Sequence, residues 1–259
     1  MKKLTTILVA LLLVATCAFS LASCQALDTV EVINGAIEKT AKLNEYEAKM
    51  DMSVEMTMSN VTMSVPVIVD LKVKNATTEN PTMWMKMSTE IMEEKMEVEL
   101  YVEGDYAYIV TDGEGYKMNA SDIEAEYDYE DDLKEMIKKL PADLIKDIEL
   151  NKSEDGSYKV TLNLSEETFN ELYSDMIEEM SEIALSGVEG EAGVGNGSVS
   201  VTVKDEYVTN YDLSYDMSME LYGMVADATV TASIEFVNPG KTVTITPPEG
   251  YESFESMDW

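Results

Sequence analysis

Glu45–Met58 reads EYEAKMDMSVEMTM, and its alternation decides the fold. Tyr46, Ala48, Met50, Met52, Val54, Met56 and Met58 take every second position, with Glu45, Glu47, Lys49, Asp51, Ser53, Glu55 and Thr57 between them. Successive side chains of an extended chain point to opposite faces. The pattern therefore predicts a long strand with one buried face and one wet face. Ser59-Asn60 reads as a turn, and Val61, Met63, Val65, Val67, Val69, Leu71 and Val73 repeat the alternation. Pro66 has no N–H to give, so it predicts a sheet edge or a bulge there. Met83–Met87 and Met96–Val102 are two further strands. Gly104-Asp105 and Asp112–Gly115 are turns leading into Tyr106–Thr111 and Tyr116–Asn119. Short turns between alternating runs predict an antiparallel meander.

Upstream the period changes. Val30, Ile33, Ile37 and Ala41 fall on one helical face, Asp28 can cap that helix, and Glu31 stands where a capping box needs it. This helix is expected to end near Asn44. Downstream, Ser121–Asp132 is acidic and reads as a loop or a frayed helix, and Leu133–Lys139 is helical. Pro141 can open a short helix to Lys146. Ile148–Asn151 and Tyr158–Leu164 read as a hairpin about Asp155-Gly156. Ser165 caps a helix through about Leu185. Gly187–Gly197 is glycine-rich and is expected to be a mobile loop inside one domain. Val199–Val203, Tyr207–Met219, Ala226–Phe236 and Thr242–Ile245 are closing strands. Pro247-Pro248 ends the sheet, and Glu249–Trp259 is expected to be a tail.

The start of the chain is an export signal. Lys2 and Lys3 precede an apolar run from Ile7 to Val14, and Leu21-Ala22-Ser23-Cys24 has the form of a lipobox. The run is too short to predict a transmembrane span. The leader is similar to that of bacterial lipoproteins: the Cys24 thiol would take a diacylglycerol and the leader would be cut before it. The expected organisation is signal peptide 1–23, lipid-anchored tether 24–27, folded domain 28–248 and tail 249–259. The expected location is the extracytoplasmic face of the cell membrane.

Removing the leader leaves 16 lysines against 51 acidic residues, a net charge of about −35. Nucleic acid phosphates would repel such a chain, and so would anionic lipid headgroups. A cationic protein partner is compatible with this charge, and so is solubility alone. There is no arginine and no histidine. The bidentate phosphate clamp, the commonest general base and the commonest metal ligand are therefore missing. With Cys17 in the leader and Cys24 in the anchor, no thiol remains for a disulfide, a zinc site or a nucleophile. No phosphate-binding loop or nucleophile elbow is present. The chain reads as no enzyme, with no cofactor and no metal.

The 19 methionines are the unusual chemistry, many of them in Met-x-Met pairs. Such pairs share a strand face, roughly 6–7 Å apart. They suit ordinary core filling, a deformable cavity for a lipid-like ligand, or a thioether site for Cu(I). Copper sites usually add histidine or cysteine, and neither is available. The acidic run Tyr127–Asp132 lacks the spacing and central glycine of an EF-hand loop. Tyr101 and Tyr108 lie on wet strand faces, suiting a protein interface or a sheet edge.

The helix 28–43, the Met-rich hairpin, the stretch VEGDYAYIVTDGEGYKM and the end VNPGKTVTITPPEGY follow one another in an order that resembles the LolA-like and LppX-like lipoprotein-carrier superfamily. The resemblance implies an α+β fold: a strongly curved, open antiparallel sheet, a half-barrel, with helices packed on its concave face. It also implies a hydrophobic cavity between sheet and helices. The candidate lining is Met50, Met52, Val54 and Met56 on the first strand. Facing it would be the helical stripe Phe169, Leu172, Tyr173, Met176, Met180 and Ile183. The function expected is a non-catalytic binding module for a hydrophobic or lipid-like ligand. The alternative is an acidic surface interaction protein with a packed core and no small-molecule ligand.

Overall fold

The computed structural model describes residues 28–58, 61–78, 80–91, 94–121, 137–174, 190–221 and 224–256. The leader, the acidic run Tyr127–Asp132 and most of the expected helices 133–139 and 166–185 lie outside these residues.

The chain opens with helix α1, Thr29–Thr40, one turn shorter than its sequence suggests. Asp28 caps it, its carboxylate accepting from the N–H of Val30 at 2.9 Å and of Glu31 at 3.2 Å. Ile33, Ala36 and Ile37 are buried on one side, each isoleucine contributing about 1.5–3 kcal/mol by leaving water. Six strands follow: β1 (Glu45–Met58), β2 (Val61–Lys74), β3 (Thr82–Ile91), β4 (Glu94–Glu103), β5 (Tyr106–Thr111) and β6 (Glu114–Asn119). A short helix α2 (Ala142–Ile145), strand β7 (Tyr158–Leu164) and a helix α3 over 166–174 make up the middle. Then come β8 (Gly190–Lys204), β9 (Tyr207–Leu221), β10 (Met224–Phe236) and a two-residue β11 (Glu255–Ser256).

The eleven strands among the described residues form one open curved sheet, in the order β11-β6-β5-β4-β3-β2-β1-β10-β9-β8-β7. Neighbours are antiparallel except β11 and β6. The halves before and after the helical segment are joined where β1 pairs with β10, Ala48 opposite Phe236 and Thr57 opposite Asp227. The antiparallel pairing expected from the alternation, and the α+β class with an open curved sheet that the resemblance implied, are what the chain adopts.

Four local expectations are refined. Gly190–Gly197 is not a loop but the first half of β8, with a bulge between Val194 and Gly197. Thr242–Ile245 is not a strand; the N–H of Val243 donates instead to the Glu45 carboxylate at 3.0 Å. The hairpin about Gly156 keeps one bridge, Lys152 to Tyr158, and β7 pairs with β8. The tail is folded through 256: Tyr251–Ser253 is a 3₁₀ turn, and β11 follows it. Pro66 stands where the β2–β3 ladder ends, since pairing to β3 begins at Val67. That position has the edge character its missing N–H requires.

Candidate functional site

Register puts the methionines on a single face. Met50 stands between Ile234 and Val69, Met52 between Ala232 and Val67, and Met56 between Ala228 and Met63. Val69 pairs with Met87, Leu71 with Met85 and Val73 with Met83. By the same alternation no charged residue of β1, β2, β3 or β10 falls on this face. The carboxylates and lysines of those strands stand on the opposite face, in weak surface pairs such as Lys86–Glu97 at 3.3 Å and Lys72–Glu47 at 3.9 Å.

The helices cover one end of the apolar face. α1 packs on β9 and β8, and α2 packs on α1. Asn34 fastens the helical segment, donating to the Leu140 carbonyl at 2.8 Å and accepting from its N–H at 2.9 Å. α3 lies over β8 and β9. The Phe169 ring stacks on Tyr215 at 5.1 Å and on Tyr173 at 4.8 Å. Tyr173 and Tyr211 share a hydrogen bond between their hydroxyls at 2.7 Å, and Tyr211 donates to the Lys138 carbonyl at 3.3 Å. Burial pushes Tyr173 and Tyr215 up to about 12 and Tyr211 well above its ordinary range. All three hydroxyls are neutral at physiological pH. They are polar anchors inside an apolar layer.

Along β1 to β4 the cover thins. Val73, Met83 and Val102, at the helix end, are 2%, 4% and 1% exposed. Val61, Met63 and Met96, on the same face at the hairpin end, are 69%, 42% and 49% exposed. Met50, Met52, Val54 and Met56 lie between these extremes, half-buried.

The candidate residues thus divide. Phe169 and Tyr173 are buried, and Leu172, Met50, Val54 and Met56 pack against the same core cluster. The described part of α3 sits on β8–β9, and β10 separates those strands from β1. Met176, Met180, Ile183 and Cys24 lie outside the described residues. Sequence reasoning missed Tyr211 and Tyr215 as partners of α3. Their signal was present in the alternation of β9, where Tyr211, Leu213, Tyr215 and Met217 share the buried face. Tyr101 and Tyr108, expected on a wet face, are 3% and 8% exposed. The folded tail covers them, Tyr251 meeting their rings edge-on at 5.5 and 4.9 Å.

The opposite face carries a trough of about 810 Å³ across β2, β1, β10, β9 and β8, with Asp51, Asp70, Asp212 and Glu235 along it. Ser233 donates to Asp212 there at 2.7 Å. Among the described residues no cluster of carboxylates is arranged to hold a metal ion, and no helix is long and apolar enough to cross a membrane.

A family model matches residues 28–250, from the cap of α1 to the end of the Pro-Pro segment. The chain belongs to DUF6612, a family of unknown function. No curated protein matches it. Among solved structures this DUF6612 chain is similar to LprF from Mycobacterium bovis, with a TM-score of 0.43 and 13% identity over 86% of this chain and 97% of that one. It is also similar to a putative outer membrane lipoprotein-sorting protein domain from Vibrio parahaemolyticus, with a TM-score of 0.23 and 9% identity over 84% and 95%. A DUF1329 family protein from Desulfovibrio piger gives 0.27 and 6% over 84% and 95%.

Proposed function

We propose that the chain is a lipid-anchored, extracytoplasmic lipoprotein whose apolar sheet face holds a hydrophobic or lipid-like ligand without catalysis. The observation that carries this reading is the uncharged, methionine-rich face that runs from a buried end under the helices to an exposed end at the hairpins. Contiguous apolar surface of that kind marks a binding site more often than a monomer's ordinary exterior. Methionine is unbranched and polarizable, so such a face can repack around acyl chains of different shape. The buried tyrosines give the helix end a fixed floor, and ligand exchange belongs to the hairpin end. The leader supports the anchor: Cys24 would carry the lipid, and Gln25–Leu27 would tether Asp28 close to the membrane.

The test is direct. Chain purified from membranes is extracted with organic solvent, and the extract is analysed by mass spectrometry for a lipid at near-stoichiometric amount. Displacement by the neutral fluorophore N-phenyl-naphthylamine is then titrated. Absence of both a co-purifying lipid and fluorophore binding overturns the reading and leaves the acidic interaction protein.

A further inference from the structure

A second site lies away from the methionine face. A groove of about 590 Å³ runs along α1, between it and Tyr158 of β7, Val203 of β8 and the turn Asp205-Glu206. Its floor is apolar: Val32, Ala36 and Val203, the last two buried. Its rim is anionic at both ends. Asp28 and Glu31 stand at the start of α1, and Asp205 and Glu206 stand beside its last turn, where Lys39 holds Glu206 at 2.7 Å. Asp28 is occupied in capping the helix. Among the described residues Glu31 and Asp205 have no ion pair.

Two further features keep the groove open. Gly35 sits in the middle of α1, where glycine disfavours a helix relative to alanine, and a β-carbon there would meet nothing within 4 Å. The β8–β9 turn has positive φ at both central residues, Asp205 at 50° and Glu206 at 68°. Such turns ordinarily take Asn-Gly or another glycine-containing pair. Here two carboxylates are held at the rim instead.

The geometry points to a docking groove for an extended basic segment of a partner protein, with lysine or arginine at two positions four apart and an apolar residue midway. Charge complementarity and spacing carry the assignment. Glu31 lies eight residues before Lys39, about 12 Å along a helix that rises 1.5 Å per residue. The Asp205 end of the rim adjoins Lys39 through Glu206. An extended chain covers about 13 Å in four residues, and its residues i, i+2 and i+4 point the same way. The two cations then meet Glu31 and Asp205 while the middle side chain enters over Gly35 onto Val32 and Ala36. A small amine would reach one end of the rim and leave the other unmatched.

The experiment uses the full chain in phosphatidylcholine nanodiscs, with empty nanodiscs subtracted. Two labelled peptides of equal composition are titrated, acetyl-Lys-Ser-Leu-Ser-Lys-amide and acetyl-Lys-Lys-Leu-Ser-Ser-amide. The spaced peptide is expected to bind at least about fivefold more tightly. Glu31→Gln with Asp205→Asn should weaken it about tenfold. Glu55→Gln with Asp227→Asn, an equal charge change at the hairpin end, should leave it unchanged. Gly35→Leu fills the groove without removing a carboxylate, suits a helix, and should abolish the preference between peptides while thermal unfolding stays intact. Equal binding of the two peptides, equal weakening by both double variants, or unchanged binding by Gly35→Leu would each overturn the assignment in favour of diffuse attraction to an acidic protein. No binding of either peptide overturns it outright.

Discussion

The Phe169 ring fills the place where a β-carbon on Gly197 would stand, 2.2 Å from its Cδ2 and 2.4 Å from its Cε2. A ring held between Tyr173 and Tyr215 has no free direction in which to retreat. Gly197→Ala is therefore expected to destabilise the fold by about 1–3 kcal/mol, the usual range for overpacking a filled site. Urea unfolding followed by circular dichroism measures it. A paired Phe169→Leu with Gly197→Ala should recover part of the loss, because the shorter side chain makes room.

Stability should fall in alkali through the tyrosine layer. Burial raises Tyr173 and Tyr215 to about 12, while tyrosines of an unfolded chain ionise near about 10. Between those values the unfolded state has released protons that the native state still binds, so unfolding becomes easier as pH rises. The stabilisation is fully present below about 10 and is lost as the pH approaches about 12. Tyr215→Phe should flatten the fall in urea midpoint across this window relative to the natural chain. An unchanged slope would mean that Tyr215 ionises as freely in the fold as in the unfolded chain.

The end of the chain protects an edge. Phe254 lies so close to Gly115 that a β-carbon there would come within 2.5 Å of its ring. β11 pairs alongside β6, and Tyr251 covers Tyr101 and Tyr108. Truncation before Gly250 should uncover both tyrosines and the unpaired backbone of β6. Exposed edges pair with other chains, so the truncated protein should self-associate. Light scattering after size-exclusion chromatography would detect it, and a monomer at all concentrations would refute it.

The parts of this fold that were legible in the sequence are those that local alternation determines. β1 declares its buried face in every second residue, and the same period runs through β2, β4 and β9. What escaped was decided by residues far along the chain. The glycines of β8 read as a loop because glycine carries no pattern, yet Gly197 is a strand position kept small for Phe169. Thr242–Ile245 alternates like a strand, but its Val243 N–H is taken by Glu45 from the other end of the domain. Tyr101 looked wet because its cover, Tyr251, comes from the chain's end. For the candidate site, the composition of the apolar face was readable from Met50 to Met56. The seat of α3 on Tyr211 and Tyr215 was not, since periodicity gives a helix its apolar side but no partner strand.

The anchor has a simple consequence. Cys24→Ser keeps the leader's apolar run but removes the thiol that would carry the lipid. The variant is expected in the soluble extracytoplasmic fraction, with the natural chain in the membrane fraction. Mass analysis of the natural chain should find an acyl-bearing N-terminus. Sedimentation of the variant with membranes, together with an unmodified natural chain, would refute the lipobox reading.

Met52 separates a ligand-holding face from a filled core. It is half-buried between Ala232 and Val67, on the uncharged face and beyond the described helices. If that face holds a ligand, Met52→Trp places its ring in space the ligand would occupy. Binding of N-phenyl-naphthylamine should then fall several-fold while the melting temperature barely moves. In a core packed to native density the same ring has no room, and the fold should lose about 1–3 kcal/mol. The two outcomes differ in both readouts, so one variant and two titrations decide between them. A large loss of stability, with no fluorophore bound by the natural chain, would exclude the carrier function and leave the acidic exterior as the working surface.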